Sequence, residues 1–218
     1  MATIKQGVFG GFSGKIGTVV GSIWRGKNVL RSAPRKSTKP VSIAQQRQRD
    51  KFTGVLQFLT PLKEILTETF GTNIGSKTPF NNAMSYHMKE AVRQSTDGFT
   101  IEYSKVLVGK GNLCGLENPH VEALPAHSLQ ITWKDNSSQG LAYPNDTFLA
   151  VAYAPSLQSF KTVTGESVRE TAQYAIHFQE SFYGQTVHLW ATFNNTKLAL
   201  TATSKYLGSF VIYKLVIS

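Results

Sequence analysis

Five histidines, one cysteine and thirteen acids are the residues of this chain that could do bond chemistry. His177 (in AIHFQ) and His188 (in VHLWA) lie to either side of Glu180, and a His–Glu pair facing a pocket could move a proton. Both histidines alternate with apolar neighbours, as the solvent-facing polar residues of a half-buried strand do. Cys114 sits in GNLCGLENPH, six residues before His120. A Cys–His nucleophile needs the two in contact and a third group to orient the base, and this stretch promises neither. His87-Met88 has no second histidine at i+4 and no acid beside it, so a metal ligand is not expected there. The acids are scattered without the paired spacing of a metal site. The expectation is no catalytic residue, no metal, no cofactor and no small-molecule substrate, and hence no enzyme.

The other chemistry on offer is charge. Residues 1–63 carry twelve Lys/Arg against the single acid Asp50, whereas residues 64–218 are close to neutral, so the net charge of +10 comes from the first segment. Such a segment fits contact with a polyanion, where each base that neutralises a phosphate releases counterions. It equally fits an acidic protein surface or a solvated face, although solubility alone does not require the charge to be segregated. The candidate contact residues are Lys15, Trp24, Arg25, Lys27, Arg31, Arg35, Lys36, Lys39, Arg47, Arg49 and Lys51. Phe9, Phe12 and Trp24 lie among these bases and could stack on nucleobases. The plainer alternative is that the phenylalanines anchor an arm in an apolar groove. Glycines at 7, 10, 11, 14, 17, 21 and 26 form no GxGxxG opening a helix, and Gly14-Lys15-Ile16 lacks the Ser/Thr of a phosphate loop. Backbone conformation or close approach of another chain explains them better.

The elements that would carry these residues follow from periodicity. Residues 8–31 read as a glycine lead and a β-hairpin, with Arg25-Gly26-Lys27-Asn28 as the turn. Ala33–Pro40, with two prolines and three bases, reads as a linker. Ser42 with Gln45 makes a capping box. An apolar stripe of Phe52, Val55, Leu56, Leu59, Leu62, Ile65, Leu66 and Phe70 then marks a helix. Pro61 kinks or restarts that helix, with Thr60 as the new N-cap, and Gly71 ends it. Thr78-Pro79 opens a further helix with Phe80, Ala83, Met84, Met88 and Val92 on one face and Gly98 beyond its end. From Phe99 the pattern changes to short strands: 100–108, 128–133, 147–153, 171–178, 186–193 and 210–217, with turn clusters such as Pro144-Asn145-Asp146 and Thr164-Gly165-Glu166. That spacing predicts an antiparallel β-sandwich.

The fold class expected is therefore α+β, in three segments: a basic Gly-rich N-terminal β-hairpin arm and linker (1–41), two or three α-helices (42–98) and a C-terminal sandwich (99–218). Trp133 on an early strand and Val187, Leu189, Ala191, Phe193 alternating on a late one resemble a fibronectin type III or immunoglobulin-like module. A lone cysteine excludes the internal disulfide of an antibody domain.

The string GKIGTVVGSIWRGK (14–27), followed by Val29, Arg31-Ser32, Pro34 and Lys36, then Gln46-Arg47, Lys51-Phe52, Phe58-Leu59, Pro61-Leu62 and Tyr206-Leu207-Gly208, resembles a family of uncharacterised bacterial proteins. That resemblance implies a match over nearly the full chain and imports no activity. Openings of this kind are also similar to those of small phage-encoded proteins, by analogy. The polar start, Met1 to Gln6, does not read as a leader peptide, and no apolar run is long enough to span a membrane. The cytoplasm, or a virion if phage-encoded, is the expected location. The expected role is a structural or adaptor component of a multi-subunit assembly whose basic arm orders on neighbouring protein subunits, as a homo- or hetero-oligomer. The alternative is a nucleic-acid-binding protein that uses the same bases.

Overall fold

A computed structural model of the chain describes residues 3–4, 11–24, 26–34, 40–71, 77–95, 98–125 and 127–213. The chain divides into two compact units, Met1–Gln46 and Arg47–Ser218.

The first unit is a four-stranded antiparallel meander of β1 (Thr3–Ile4), β2 (Phe12–Ile16), β3 (Val19–Trp24) and β4 (Lys27–Ser32), in that spatial order. Two tight connections set its register. Ile16 pairs with Val19 across Gly17-Thr18, where Gly17 has φ +54° at the first loop position. A two-residue loop needs a left-handed residue there to match the twist of its strands. At the other end Trp24 pairs with Lys27, and Gly26 has φ +77°. The expected hairpin is thus a sheet of four strands, and Lys27 and Asn28 belong to β4 rather than to a longer turn. The glycines serve two different ends. Gly17 supplies a conformation, whereas Gly21 makes room: a Cβ there would lie 2.2 Å from the carbonyl oxygen of Phe12 and against the Phe12 ring. The glycine lead at 7–10 and the linker residues 35–39 lie outside the described residues.

Ser42 and Gln45 form the reciprocal capping box: Gln45 N donates to Ser42 Oγ at 3.3 Å and Ser42 N donates to Gln45 Oε1 at 3.1 Å. Helix α1 (Ile43–Leu59) starts there. Pro61 ends it in a single 3₁₀ turn, Thr60–Leu62, and α2 (Lys63–Thr69) follows. Thr60 is not an N-cap, because its hydroxyl donates back to Leu56 O at 2.6 Å. Helix α3 (Pro79–Tyr86) has the expected Thr78 cap, accepting from Asn81 N, and closes in a π turn at His87–Ala91. Val92 is not on this helix. It opens β5 (Val92–Ser95), paired with β6 (Gly98–Ile101).

Seven further long or short strands build the sandwich: β7 (Glu117–Leu124), β8 (Ser128–Lys134), β9 (Thr147–Ala154), β10 (Ser159–Val168), β11 (Gln173–His177), β12 (Thr186–Asn195) and β14 (Lys205–Val211), with the two-residue β13 (Leu200–Thr201) on the end of β12. One sheet runs β11-β8-β7; the other runs β10-β9-β12, with β13 and β14 both pairing β12. The chain crosses between sheets after β8, β10 and β11, which makes the architecture a Greek-key sandwich. Leu129, Ile131 and Trp133 from one sheet meet Phe148, Ala150, Ala152, Leu189 and Phe193 from the other, and Trp133 stacks on Phe148 at 4.6 Å.

The opposite faces of β9 and β12 are buried too. Leu149, Val151, Tyr153 and Trp190 pack with Val55, Phe58, Leu59, Leu62, Leu66, Ala83 and Met84 of the helices. Segment 42–98 therefore supplies, from Arg47 on, a third layer on the sandwich within one compact unit. This double coverage explains why β9 reads TFLAVAYA, apolar on both alternating sets, since a strand buried on both faces keeps no polar side. The mixed α+β class and the antiparallel sandwich are as expected, but four strands differ from the expected ones. Residues 100–108 hold only the end of β6 and a 3₁₀ turn, Tyr103–Lys105. β7 contains Pro119, tolerable because β7 is an edge strand. β10 carries Thr164-Gly165-Glu166 as an irregularity inside a strand, with Gly165 at φ +84°, rather than as a turn. The last strand ends at Val211 instead of running over 210–217, of which 214–217 lie outside the described residues.

Candidate functional site

Register alone sorts the residues of the N-terminal sheet. Residues directly opposite one another share a face, and successive residues alternate between faces. The pairings Ile16↔Val19, Gly14↔Gly21, Gly21↔Leu30 and Ile23↔Asn28 therefore put Phe12, Ile16, Val19, Ile23 and Leu30 on one side. The pairings Lys15↔Val20, Val20↔Arg31 and Trp24↔Lys27 put Lys15, Arg31, Trp24 and Lys27 on the other, with Ser22 and Val29 between. The sheet is apolar on one side and basic with one tryptophan on the other. Lys15, Val20 and Arg31 form a single row across three strands.

Neither face is deeply covered. Ile23, Leu30 and Trp24 are 60%, 63% and 60% exposed, and Ile16 is 49% exposed. Lys15, Lys27 and Arg31 are exposed as well. No acid occurs in the first 49 residues, so nothing within this unit neutralises those bases.

The remaining charge candidates scatter. Arg47 and Arg49 are exposed on α1, and Lys51, one turn on from Arg47, is half-buried. Arg25, Arg35, Lys36 and Lys39, like Phe9, lie outside the described residues.

The bond-making candidates are not brought together. His177 and Glu180 are both exposed. His188 is half-buried; its Nδ1 lies 2.8 Å from Tyr206 Oη, its ring packs 4.1 Å from Tyr103, and burial lowers its pKa. The Cys114 thiol donates to Gln139 O at 3.5 Å, and among the described residues no hydrogen bond joins it to His120. His87 is buried under α3. Its Nδ1 lies 2.8 Å from Ala83 O, and its Nε2 receives Leu107 N–H at 3.3 Å, the pattern of a neutral ring protonated on Nδ1. Burial lowers its pKa to about 4, against an opposing pull from the Ala83 carbonyl. Among the described residues no group of three or more His, Cys, Asp or Glu could hold a metal ion. An open groove of about 720 Å³ lies beside α3, lined by Tyr86, Lys89, Glu90, Lys110 and Asn112 among others. Neither His177, His188 nor Cys114 lines it.

The charged site that periodicity did not reveal is wholly buried. Arg169 and Asp146 are both 0% exposed and pair at 2.8 Å and 3.0 Å through Nη2 and Nε. The guanidinium also donates to Cys114 O (2.7 Å), Gly115 O (3.4 Å) and Asn136 Oδ1, and lies 4.0 Å over the Phe193 ring. Asp146 further accepts from Asn195 Nδ2 at 2.7 Å and Tyr143 N at 2.8 Å. Every partner is a loop or strand end at one pole of the sandwich. With Nε, Nη1 and Nη2 of the guanidinium all donating and both carboxylate oxygens accepting, the node holds loops in place. Its sequence signal is absent, because Asp146 sits in what reads as an ordinary Pro-Asn-Asp turn.

Comparison with known proteins reaches into both units. A family model described as "Family of unknown function (DUF6266)" matches residues 11–208, from the first strand of the meander's core to the last strand of the sandwich. The chain belongs to that family. The expected resemblance to an uncharacterised family thus holds, and the DUF6266 match includes β2–β4 of the sheet with its two unlike faces and nearly all of the three-layer body. No curated protein matches the chain. Solved structures similar to this DUF6266 chain include the fn3 domain of human collagen alpha-1(XX) chain, at 12% identity and TM-score 0.38, covering 50% of this chain and 95% of that one. Another is the fn3 domain of human contactin 1, at 8% identity and TM-score 0.36, covering 50% of this chain and 86% of that one. Among the described residues no helix is long and apolar enough to cross a membrane.

Proposed function

We propose that this DUF6266 protein is a non-enzymatic structural or adaptor component of a multi-subunit assembly, of which a virion or tail particle is the finer form. The three-layer unit is the rigid body, and the N-terminal sheet engages a neighbouring protein subunit through its apolar face. The observation that carries this reading is the collection of Phe12, Ile16, Val19, Ile23 and Leu30 on one side of a small sheet, with Ile16, Ile23 and Leu30 about half or more exposed. Soluble proteins seldom leave so many neighbouring aliphatics in water unless a partner covers them. Covering each would add about 1 kcal/mol, half the value of full burial. Among the described residues β4 pairs only with β3, so its other edge offers main-chain donors and acceptors that a partner strand can join as well.

The test is the state of association. The full chain is expected to form a defined oligomer or a stable complex with a subunit of its native assembly, read by light scattering and pull-down. Removing residues 1–41, or changing Ile23 and Leu30 to Ser, is expected to abolish it. A monodisperse monomer whose pull-downs are unchanged by either alteration would overturn the proposal.

A further inference from the structure

We infer that the opposite, basic face of the same sheet binds single-stranded nucleic acid. The inference rests on strand register and on the absence of acid, and stands whether or not the apolar face docks on a subunit. Lys15 and Arg31 flank Val20 in one row, so their strands stand about 10 Å apart, two inter-strand spacings. Trp24 lies four residues along β3 from that row, about 13 Å at the rise of a strand, with Lys27 opposite it. The result is a platform with cations at one end, and an aromatic ring beside a further cation at the other. That is room for two or three nucleotides, the number that a four-stranded sheet with aromatic platforms stacks.

On a face whose charge suits either polyanion, one observation favours a nucleic acid over an acidic protein. The first 49 residues contain no Asp or Glu, so the face carries no carboxylate that would repel either polyanion. Trp24 is 60% exposed on the charged side rather than on the apolar side. Exposed tryptophan on a basic surface supplies stacking to any base, a contact that the carboxylates of an acidic peptide cannot make. Unpaired bases are required for that contact, which selects single strands over duplex. Because the two faces look in opposite directions, a subunit on the apolar face leaves this one accessible. An assembly component and a nucleic-acid binder are then compatible roles of one sheet.

The experiment uses the full chain and fluorescently labelled twenty-nucleotide oligo(dT) and oligo(U), with a matched duplex, in anisotropy titrations over a range of salt. Binding is expected at low salt, with log affinity falling against log salt at a slope of about −2, the value for three bases on a single strand. Lys15→Glu with Arg31→Glu is expected to cost at least ten-fold in affinity and to bring the slope toward about −1. Trp24→Ala is expected to cost about five-fold or more with the slope unchanged, because stacking involves no counterions. Trp24→Tyr should restore most of that loss, which guards against a folding defect. Lys197→Glu, a charge reversal of the same kind at an exposed site of the sandwich, should leave binding intact. Ile23→Ser with Leu30→Ser should spare nucleic-acid binding even where it dissociates the assembly, so the two proposals fail separately. The inference is overturned by no binding at low salt, by an equal loss with Lys197→Glu, or by polyglutamate competing as well as the oligonucleotide while Trp24→Ala has no effect.

Discussion

Arg169 is the residue whose removal this protein should tolerate worst. Burying a guanidinium and a carboxylate costs several kcal/mol of hydration per ion, and the node recovers that only because each ion has the other and a full set of dipoles. Asp146→Ala leaves the cation buried without its counter-ion and is expected to destabilise the second unit by about 3–5 kcal/mol in urea unfolding. Adding Arg169→Met should make the double variant less unstable than the sum of the singles, by about 1 kcal/mol or more, since each change removes the other's penalty. Strict additivity would show that the pair is not coupled. His87 gives a second test, in pH. The native ring takes up its proton only near pH 4, against an ordinary value of 6.5 in the unfolded chain. Between those values the unfolded state binds the extra proton, so stability is full above about pH 6.5, falls as the pH drops, and levels off below about 4. The loss should be about 3 kcal/mol at 1.36 kcal/mol per unit. Protonating Nε2 would also leave Leu107 N–H facing another donor. Unfolding midpoints at pH 7 and pH 4.5 are expected to differ markedly in the native chain and much less in His87→Gln. His188, also shifted down by burial, contributes a smaller change of the same sign.

At the scale of elements, the N-terminal sheet can be tested through its glycines, which look alike in the sequence and differ in what they do. Gly17 needs only its left-handed backbone and has open space around it, so Gly17→Asn should be accepted, as asparagine visits that region readily. Gly21→Ala drives a methyl into the Phe12 carbonyl and should separate β2 from β3. Tryptic cleavage at Lys15, Lys27 and Arg31 is expected to accelerate in Gly21→Ala and not in Gly17→Asn. Equal protection of both variants would count against this register. Elements whose signals are local were legible in the chain itself: the Ser42–Gln45 box, the Thr78 cap and the alternation of β8 and β12. Those set by tertiary context were not. The π turn at His87–Ala91 is followed at once by a hairpin strand, so Val92 leaves a helix that its spacing would continue. The edge strands β7 and β10 hide behind Pro119 and Gly165, because an edge tolerates a missing donor or a bulge that a central strand does not. The candidate bases were legible as a cluster, but their separation from the aliphatics depends on the parity of pairing, which a two-residue loop fixes and composition does not express.

For the molecule as a whole, the doubly buried strands decide how it unfolds. Leu149, Val151, Tyr153 and Trp190 form one wall of the helical layer, while Phe148, Ala150, Ala152 and Leu189, on the same two strands, form one wall of the sandwich core. The two cores share their backbone, so neither can lose its packing without disturbing the other. The second unit should therefore unfold in one step, with helix and sandwich reporting the same midpoint. This can be read with Trp24→Phe and Trp190→Phe in place, leaving Trp133 as the sole tryptophan, buried in the core between the two sheets and not in the cluster formed by α1, α2 and α3. Its fluorescence and the helical circular dichroism are expected to trace coincident urea transitions. Leu66→Ala, a fully buried truncation on α2, should shift both signals together by about 2–5 kcal/mol. If the Trp133 transition instead stayed in place while the helical signal moved, the helices would be a separate layer laid on a finished sandwich, and the apolar faces of β9 and β12 would not be the reason for their sequence.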